Sequence, residues 1–130
     1  MMKKLLIAIT LAAATVLSVA ADRFPELSTA DLKKAISERK ITLLDVNGSE
    51  SWQAGHIPGA LNFFAVKEVL ASKLPADKST LIVAYCANEQ CPAYRAGAQA
   101  AKKLGYTNVR HYAHGIEGWK KDGEPTEKGD

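Results

Sequence analysis

The sequence predicts an α/β domain in which a small parallel β-sheet is flanked by helices on both faces. Short, mostly apolar runs are typical of strands that are buried on both sides. Such runs alternate here with helical segments, and this alternation favours parallel strand pairing. The chain has 130 residues, of which 47% are hydrophobic and 24% are charged. This size and composition are those of one globular domain.

The first 21 residues have the pattern of a secretory signal peptide. Lys3 and Lys4 precede an apolar run at 5–17, and small residues at Ala20 and Ala21 offer two cleavage positions. A retained membrane anchor is the alternative, but the run is shorter than the roughly 20 residues of a membrane span. We therefore predict a signal peptide at 1–21 and one domain at 22–130, with its core at 28–123. The predicted location is the periplasm, with no membrane attachment after signal removal.

The composition excludes several functional classes. Removal of Lys3 and Lys4 from the 17 basic residues leaves 15 against 14 acidic ones, so the mature chain is nearly neutral. Aromatic residues make up only 7% and no Lys/Arg run exceeds two, which argues against a nucleic-acid partner. Two cysteines are too few for a disulfide framework or a four-cysteine zinc site.

The first half of the domain is predicted to begin with a helix. Ser28 is its N-cap, with Asp31 at the third helical position. The apolar run Ile41–Val46 predicts a buried strand. The next predicted elements are a helical segment at Glu50–Ala54, a strand at Leu61–Phe63 and a helix at Val66–Leu74 that ends before Pro75.

The second half contains Leu81–Cys86, the most strand-like run of the chain. A helix is predicted at Pro92–Leu104, opened by its proline and closed by Gly105. A face of small residues would let this helix lie close to the sheet; its members are Ala93, Ala96, Gly97, Ala100 and Ala101. The last predicted elements are a strand at Val109–Tyr112, a helix at Gly115–Lys121 and a frayed tail at Glu124–Asp130.

Cys86 is the predicted nucleophile. Ligand sites of parallel sheets lie beyond the carboxyl ends of the strands, so the residues after Val46, Tyr85 and Tyr112 are expected to converge. Cys86 stands at such a strand end, before a loop and a helix. Amide N–H groups and the helix dipole there favour a thiolate. A buried and inert cysteine is the alternative.

Several segments resemble the signatures of rhodanese-like domains, in the family's order. They are Leu43–Val46, Trp52, Gly-His-Ile-Pro-Gly-Ala at 55–60, Ile82–Cys86, Leu104–Val109 and Gly115–Trp119. The resemblance implies a sulfurtransferase that moves sulfane sulfur through a persulfide on Cys86, without a cofactor. It also implies a small sulfur donor (thiosulfate, polysulfide or persulfide) and a thiol or cyanide-like acceptor. A periplasmic protein is a further candidate partner.

The chain departs from the family pattern at the site. Asn47 stands where members usually have arginine, so Asp45, a candidate auxiliary group, lacks its usual partner. The active-site loop is longer than in short-loop members and comprises Ala87, Asn88, Glu89, Gln90 and Cys91. It holds an acid and no base, which disfavours thiosulfate as the donor.

Cys91 leaves three states of the cysteine pair open. The two residues can form a permanent disulfide, form a reversible or resolving pair, or remain free thiols. The spacing is not Cys-x-x-Cys, and Pro92 rules out the Cys-x5-Arg pattern of phosphatases. The alternative to the enzyme is therefore a non-catalytic or redox-sensing module that uses Cys86 and Cys91 as a dithiol–disulfide pair.

His114 is the second candidate auxiliary group, because it follows the last strand and should approach Cys86. An imidazolium there would stabilise a thiolate or an anionic donor; the alternative is a solvated loop histidine. His114, Cys86 and Cys91 lack a clear fourth ligand, so we predict no metal site. No role is assigned to His111.

Overall fold

The computed structural model describes residues 23–129, so the predicted signal peptide lies outside the described residues. Its strands are β1 (Ile41–Asp45), β2 (Leu61–Asn62), β3 (Leu81–Tyr85) and β4 (Val109–His111). They form one sheet in the order β2-β1-β3-β4, and every pairing is parallel. The predicted parallel sheet is confirmed.

Helices connect and cover the strands. They are α1 (Thr29–Ser37), α2 (Ser49–Ala54), α3 (Phe63–Val66), α4 (Leu70–Lys73), α5 (Tyr94–Lys103) and α6 (Gly115–Lys121). The side chain of Ser28 accepts a hydrogen bond from the amide of Asp31 at 3.1 Å, so the predicted N-cap of α1 is confirmed. Among residues 23–129, no helix has the length and apolar character needed to cross a bilayer.

The strand ends meet at one edge of the sheet, as expected. In the register, Asp45 lies opposite Tyr85 and Ala84 lies opposite His111. The hydrogen bond from the amide of Val46 to the carbonyl of Tyr85, at 2.9 Å, continues this pairing past the last residue of β1. The segments that follow β1, β3 and β4 therefore leave the sheet side by side.

Successive side chains of β3 enter two different cores. Ile82 and Ala84, with Cys86 after them, pack on the side of α5, whereas Val83 and Tyr85 pack on the side of α1 and α6. This alternation follows from the pleat of a strand. Both faces of the sheet are therefore covered by helices, which confirms the predicted architecture.

The helix α5 lies close to the sheet at Gly97. A Cβ atom at this position would come within 3.0 Å of Val46 Cγ2. The predicted face of small residues is only partly right, because Gly97, Ala98 and Ala101 are buried while Ala93 and Ala96 are exposed. The predicted start at Pro92 is also two residues early. Hydrogen bonds of the i to i+3 type tighten the turn at 92–96, and α5 proper begins at Tyr94.

The single helix predicted at Val66–Leu74 is wrong. The region forms α3, a 3-10 turn at Lys67–Val69 and α4. The side chain of Asn62 accepts a hydrogen bond from the amide of Ala65 at 3.4 Å, so the helix begins early and Phe63 leaves the strand. The β-branched residues Val66 and Val69 lie at the junctions, where the backbone departs from ideal helix.

The prediction of a frayed tail at Glu124–Asp130 is also wrong for the described part of this segment, which ends at Gly129. The amides and carbonyls of His56 and Glu127 exchange two hydrogen bonds of 2.9 Å. The indole N–H of Trp119 donates to the carbonyl of Pro125 at 2.7 Å. Composition near a chain end cannot reveal the pairing of Glu127 with His56, because His56 lies far away in the sequence.

We predict that removal of residues 124–130 destabilises the domain. The buried indole N–H of Trp119 would lose its acceptor, which costs about 1–3 kcal/mol of unfolding free energy. The measurement is urea denaturation of the mature chain. Glu127→Ala is the control, because it keeps the main-chain bonds and removes only side-chain contacts, and we expect a loss below about 0.5 kcal/mol. Equal stability of the shortened and full-length chains would contradict the contribution of the tail.

Candidate active site at the end of strand β3

Cys86 is the first residue after β3 and is only 1% exposed. Its backbone is held by the first turn of α6. The amide of Ile116 donates to the carbonyl of Cys86 at 2.9 Å, and the amide of Glu117 donates to the carbonyl of Ala87 at 3.0 Å. The position of the predicted nucleophile is thus set by two elements, the strand before it and the helix beside it.

Gly115 permits this close approach of α6. Its φ of +63° lies in the left-handed region, and a Cβ atom there would be 2.5 Å from the carbonyl oxygens of Cys86 and Ala87. Real Cβ atoms do not approach backbone so closely, and L side chains rarely adopt this φ. Glycine is therefore required at the point where α6 contacts the strand end.

Cys86 and Cys91 form a disulfide, with their Cα atoms 6.2 Å apart. Of the states that the sequence left open, the structure therefore has the bonded pair, and no cysteine within residues 23–129 is a free thiol. The bond closes the active-site loop into a ring that begins at the end of β3. A disulfide sulfur is an electrophile, so Cys86 must be reduced before it can act as a nucleophile.

Asn88 organises the loop from within. Its side-chain oxygen accepts from the amide of Gln90 at 3.0 Å, and its carbonyl accepts from the amide of Cys91 at 3.1 Å. Its amide group donates to Glu117 of α6 at 2.8 Å. Two of the loop amides that were expected to face the sulfur are therefore bonded to Asn88 in this disulfide form.

His114 reaches the loop through Glu89. The two exposed side chains are joined by a contact of 2.8 Å between Nδ1 and Oε1. The hydrogen bond from His114 lowers the pKa of Glu89, so this carboxylate stays ionised at neutral pH. His114 thus holds a loop residue, and its predicted role toward the sulfur remains a prediction.

Asp45 is fully buried and has partners that the sequence analysis did not predict. Its Oδ1 accepts from the amide and the side chain of Asn47 at 2.9 and 3.0 Å. Its Oδ2 accepts from the hydroxyl of Tyr85 at 2.7 Å, and that hydroxyl in turn accepts from the amide of Ile57 at 3.0 Å. Asp45 was expected to lack a partner at the neighbouring position 47, but Asn47 is that partner. Burial and the adjacent Asp45 raise the pKa of Tyr85, which keeps its hydroxyl protonated as a donor.

His111 at the end of β4 is a site feature that sequence reasoning did not identify. The side chain is buried and stacks on Tyr94 with ring centroids 3.4 Å apart. It lines a cavity of about 360 Å³ that also touches Cys91 and Glu89. The alternating pattern of the strand did not show which face of the sheet His111 occupies. Its stacking on Tyr94 shows that it lies on the side of α5.

The groups near the disulfide are suited to sulfur chemistry. The disulfide joins Cys86, at the end of β3, to Cys91 in the loop, and a cavity opens next to Cys91. Within residues 23–129, no three His, Cys, Asp or Glu side chains gather as a metal-binding group. The chemistry that the described side chains themselves support is nucleophilic attack by a thiolate and exchange between thiols and the disulfide.

The chain is similar to several known proteins. A family model described as "Rhodanese-like domain" matches residues 28–122. The chain is 32% identical to a human thiosulfate:glutathione sulfurtransferase over 108 residues, which covers 73% of this chain and 92% of the relative. It is also 32% identical to an HTH-type transcriptional regulator of Mycobacterium tuberculosis over 122 residues, 93% of this chain, and spans about half (51%) of that protein. The solved structure of a human single-domain sulfurtransferase superposes with a TM-score of 0.60 at 27% identity, covering 75% of this chain and 96% of that one.

We predict that Gly115→Ala disrupts the contact between α6 and the strand end. The added methyl group would clash with backbone atoms of Cys86 and Ala87, which cannot move without disturbing the strand end. The left-handed φ adds about 1–3 kcal/mol of strain. Gly105→Ala is a matched control, because Gly105 also has a positive φ but no atom of the described residues lies within 4 Å of its Cβ position. Urea denaturation should show a larger loss of stability for Gly115→Ala, and equal losses would contradict the close-approach argument.

We predict that Tyr85→Phe lowers stability by about 1–3 kcal/mol, because both Asp45 and the amide of Ile57 lose a buried partner. Tyr112→Phe is the comparison, since its hydroxyl makes one contact of 2.9 Å with the hydroxyl of Thr29. That loss should be about 0.5–1.5 kcal/mol. Thermal and urea unfolding measure the loss of stability of both variants. A larger loss for Tyr112→Phe than for Tyr85→Phe would show that the buried hydrogen bonds of Tyr85 contribute little.

Proposed function

Because the chain belongs to the rhodanese-like domain family, we propose that it is a sulfurtransferase that carries sulfane sulfur as a persulfide on Cys86. The observation that carries this proposal is the position of Cys86 at the end of β3, where α6 holds its backbone and the active-site loop begins. The likeness to a relative named as a thiosulfate:glutathione sulfurtransferase supports the same class of reaction.

The first step is the loading of sulfur onto reduced protein. The Cys86 thiolate attacks the outer sulfur of a donor R–S–SH, so a new S–S bond forms and RS⁻ leaves. The product is Cys86–S–SH. An acceptor thiolate then attacks the outer sulfur, takes it away as a new persulfide, and restores the Cys86 thiolate.

Cys91 offers a second fate for the persulfide. Its thiolate attacks the inner sulfur of Cys86–S–SH, so the Cys86–Cys91 bond forms and HS⁻ leaves. The persulfide sulfur is reduced by two electrons, and the two cysteines supply them. The disulfide of this structure is the protein product of that step.

We propose persulfides or polysulfides as donors rather than thiosulfate. The carboxylate of Glu89 lies in the loop beside the cavity, and its lowered pKa keeps it charged. Glu89 would repel a dianionic donor such as thiosulfate more strongly than a singly charged persulfide or hydropolysulfide, and Arg23 and Arg95 of the same cavity offset part of this repulsion. The acceptor is a thiol in this proposal.

A redox module is the second candidate function, and the disulfide itself favours it. With Cys86 bonded and 1% exposed, the nucleophile is unavailable in this form. A domain that only cycles between dithiol and disulfide would bind a partner in one of the two states. The likeness over 93% of this chain to part of a transcriptional regulator is compatible with a domain used for signalling.

We further propose that the protein works in the periplasm after removal of residues 1–21. Support comes from the order of basic, apolar and small residues in that segment. Disulfides persist in such an oxidising compartment, and a reversible pair needs a source of reducing thiols there.

The proposed function is tested by the intact mass of the reduced mature chain after exposure to polysulfide and, separately, to thiosulfate. We expect Cys86→Ser to gain no sulfur and to lose transfer to a thiol by at least about 1000-fold. Cys91→Ser is the matched variant, because it keeps the nucleophile and removes the resolving thiol. It should gain one sulfur atom and retain it longer than the wild-type chain.

The outcomes separate the two candidate functions. Sulfur that is gained by Cys91→Ser and released by a thiol supports the sulfurtransferase. If reduced wild-type protein and Cys91→Ser both fail to gain sulfur from either donor, the sulfurtransferase proposal is wrong. In that case, formation of the disulfide without sulfur uptake supports the redox module.

A further inference from the structure

The two cysteines of the disulfide differ in their exposure to solvent. Cys86 is 1% exposed and sits beneath the active-site loop, whereas Cys91 is partly exposed. Cys91 also lines the cavity of about 360 Å³ beside the loop. A cavity of this volume suits a small molecule. A reductant that approaches through it would meet Cys91 first.

His111 lines the cavity and has a buried side-chain nitrogen that no described residue satisfies. Nε2 of His111 has no hydrogen-bond partner within residues 23–129, although the side chain is buried. Burial lowers the pKa of His111, so the imidazole is neutral at pH 7 and can donate or accept one hydrogen bond. Buried polar atoms are rarely left unpaired, so a polar ligand group that came within hydrogen-bond distance at this end of the cavity would supply the missing partner.

Charged residues of both signs surround the same cavity. Arg23 and Arg95 contribute positive charge, and Glu26 and Glu89 contribute negative charge. A purely apolar ligand would gain little from such a lining, whereas a ligand with polar groups of both signs would be complementary to it.

We propose that this cavity binds a small polar thiol, which reduces the disulfide by attacking the sulfur of Cys91. The inference deepens the proposed function, since it names the route by which the Cys86 thiolate is regenerated after the resolving step. It also assigns unequal roles to the two cysteines, with Cys91 meeting the external thiol and Cys86 acting as the leaving group.

The exchange balances in two steps. The thiolate RS⁻ attacks Cys91, a bond forms between R–S and Cys91, and Cys86 leaves as a thiolate. A second RS⁻ attacks the R–S sulfur of the mixed disulfide, so R–S–S–R forms and the Cys91 thiolate leaves. Two electrons pass from two thiols to the protein disulfide.

The experiment traps the first intermediate. Oxidised mature protein is mixed with L-cysteine as the probe, and free thiols are blocked at short times with iodoacetamide. The mixed disulfide and the alkylated thiol are then located in the peptide 79–95, where fragmentation between Cys86 and Cys91 separates the two positions. We expect the probe on Cys91 and the alkyl group on Cys86, in at least about tenfold excess over the reverse arrangement.

A variant tests the part played by the cavity. His111→Phe keeps an aromatic ring against Tyr94 and removes the polar nitrogen, so reduction by L-cysteine should slow by about three- to tenfold. Arg110→Gln is the matched control. Its position on β4 alternates to the opposite face, and the rate should be unchanged.

The outcomes bear on this inference and the proposed function separately. Probe found mainly on Cys86, or equally on both cysteines, would overturn the inference, as would an unchanged rate for His111→Phe. A disulfide that resists L-cysteine but is reduced by a phosphine would overturn it too. None of these results depends on sulfur uptake, which is measured on protein that is already reduced.

Discussion

A buried hydrogen bond from the hydroxyl of Tyr85 to Asp45 joins the ends of the two central strands, and the placement of Cys86 depends on it. Alternate residues of a strand face opposite sides. Because Tyr85 is fixed in the core beneath α1 and α6, its neighbour Cys86 is directed to the core beneath α5. The same hydroxyl accepts from the amide of Ile57. One polar group thus aligns two strands and the Gly-His-Ile-Pro-Gly-Ala segment around the start of the active-site loop.

The elements built from local patterns were predictable, and those built from distant contacts were not. The apolar run at 81–86 and the capping residue Ser28 carry their signals in a few neighbouring residues, and both match the structure. The tail at 124–129 does not, because Glu127 is held by His56, which lies far away in the chain. In the site, the strand end at Cys86 was predictable from its sequence position. The pairing of Asp45 with Tyr85 and the stacking of His111 on Tyr94 depend on packing between elements.

The two cysteines have different surroundings, and this difference organises the proposed chemistry. Cys86 is buried and its backbone is bonded to α6, so it is held in place whether or not the loop moves. Cys91 lies in a loop whose internal hydrogen bonds run through Asn88. Reduction replaces a covalent bond by a van der Waals contact, so the sulfurs must separate, and the segment with fewer ties to the core is the one that yields. In the proposed chemistry, Cys86 is therefore a nucleophile that is held in place, and Cys91 can move towards it or away from it.

The close approach of Gly115 to the strand end fixes the position of Cys86 separately from the shape of the loop that follows Ala87. The carbonyls of Cys86 and Ala87 are held by the amides that follow Gly115, so the chain is anchored up to Ala87. Beyond that residue, the loop is tied to the rest of the domain by side chains, through the disulfide of Cys91 and the hydrogen bonds of Asn88 and Glu89. Insertions or substitutions after Ala87 can therefore remodel what the loop recognises while the sulfur stays where it is. If Cys86 is the nucleophile that we propose, the domain combines a fixed sulfur with a loop that can change, and substrate preference can diversify while the chemistry stays the same.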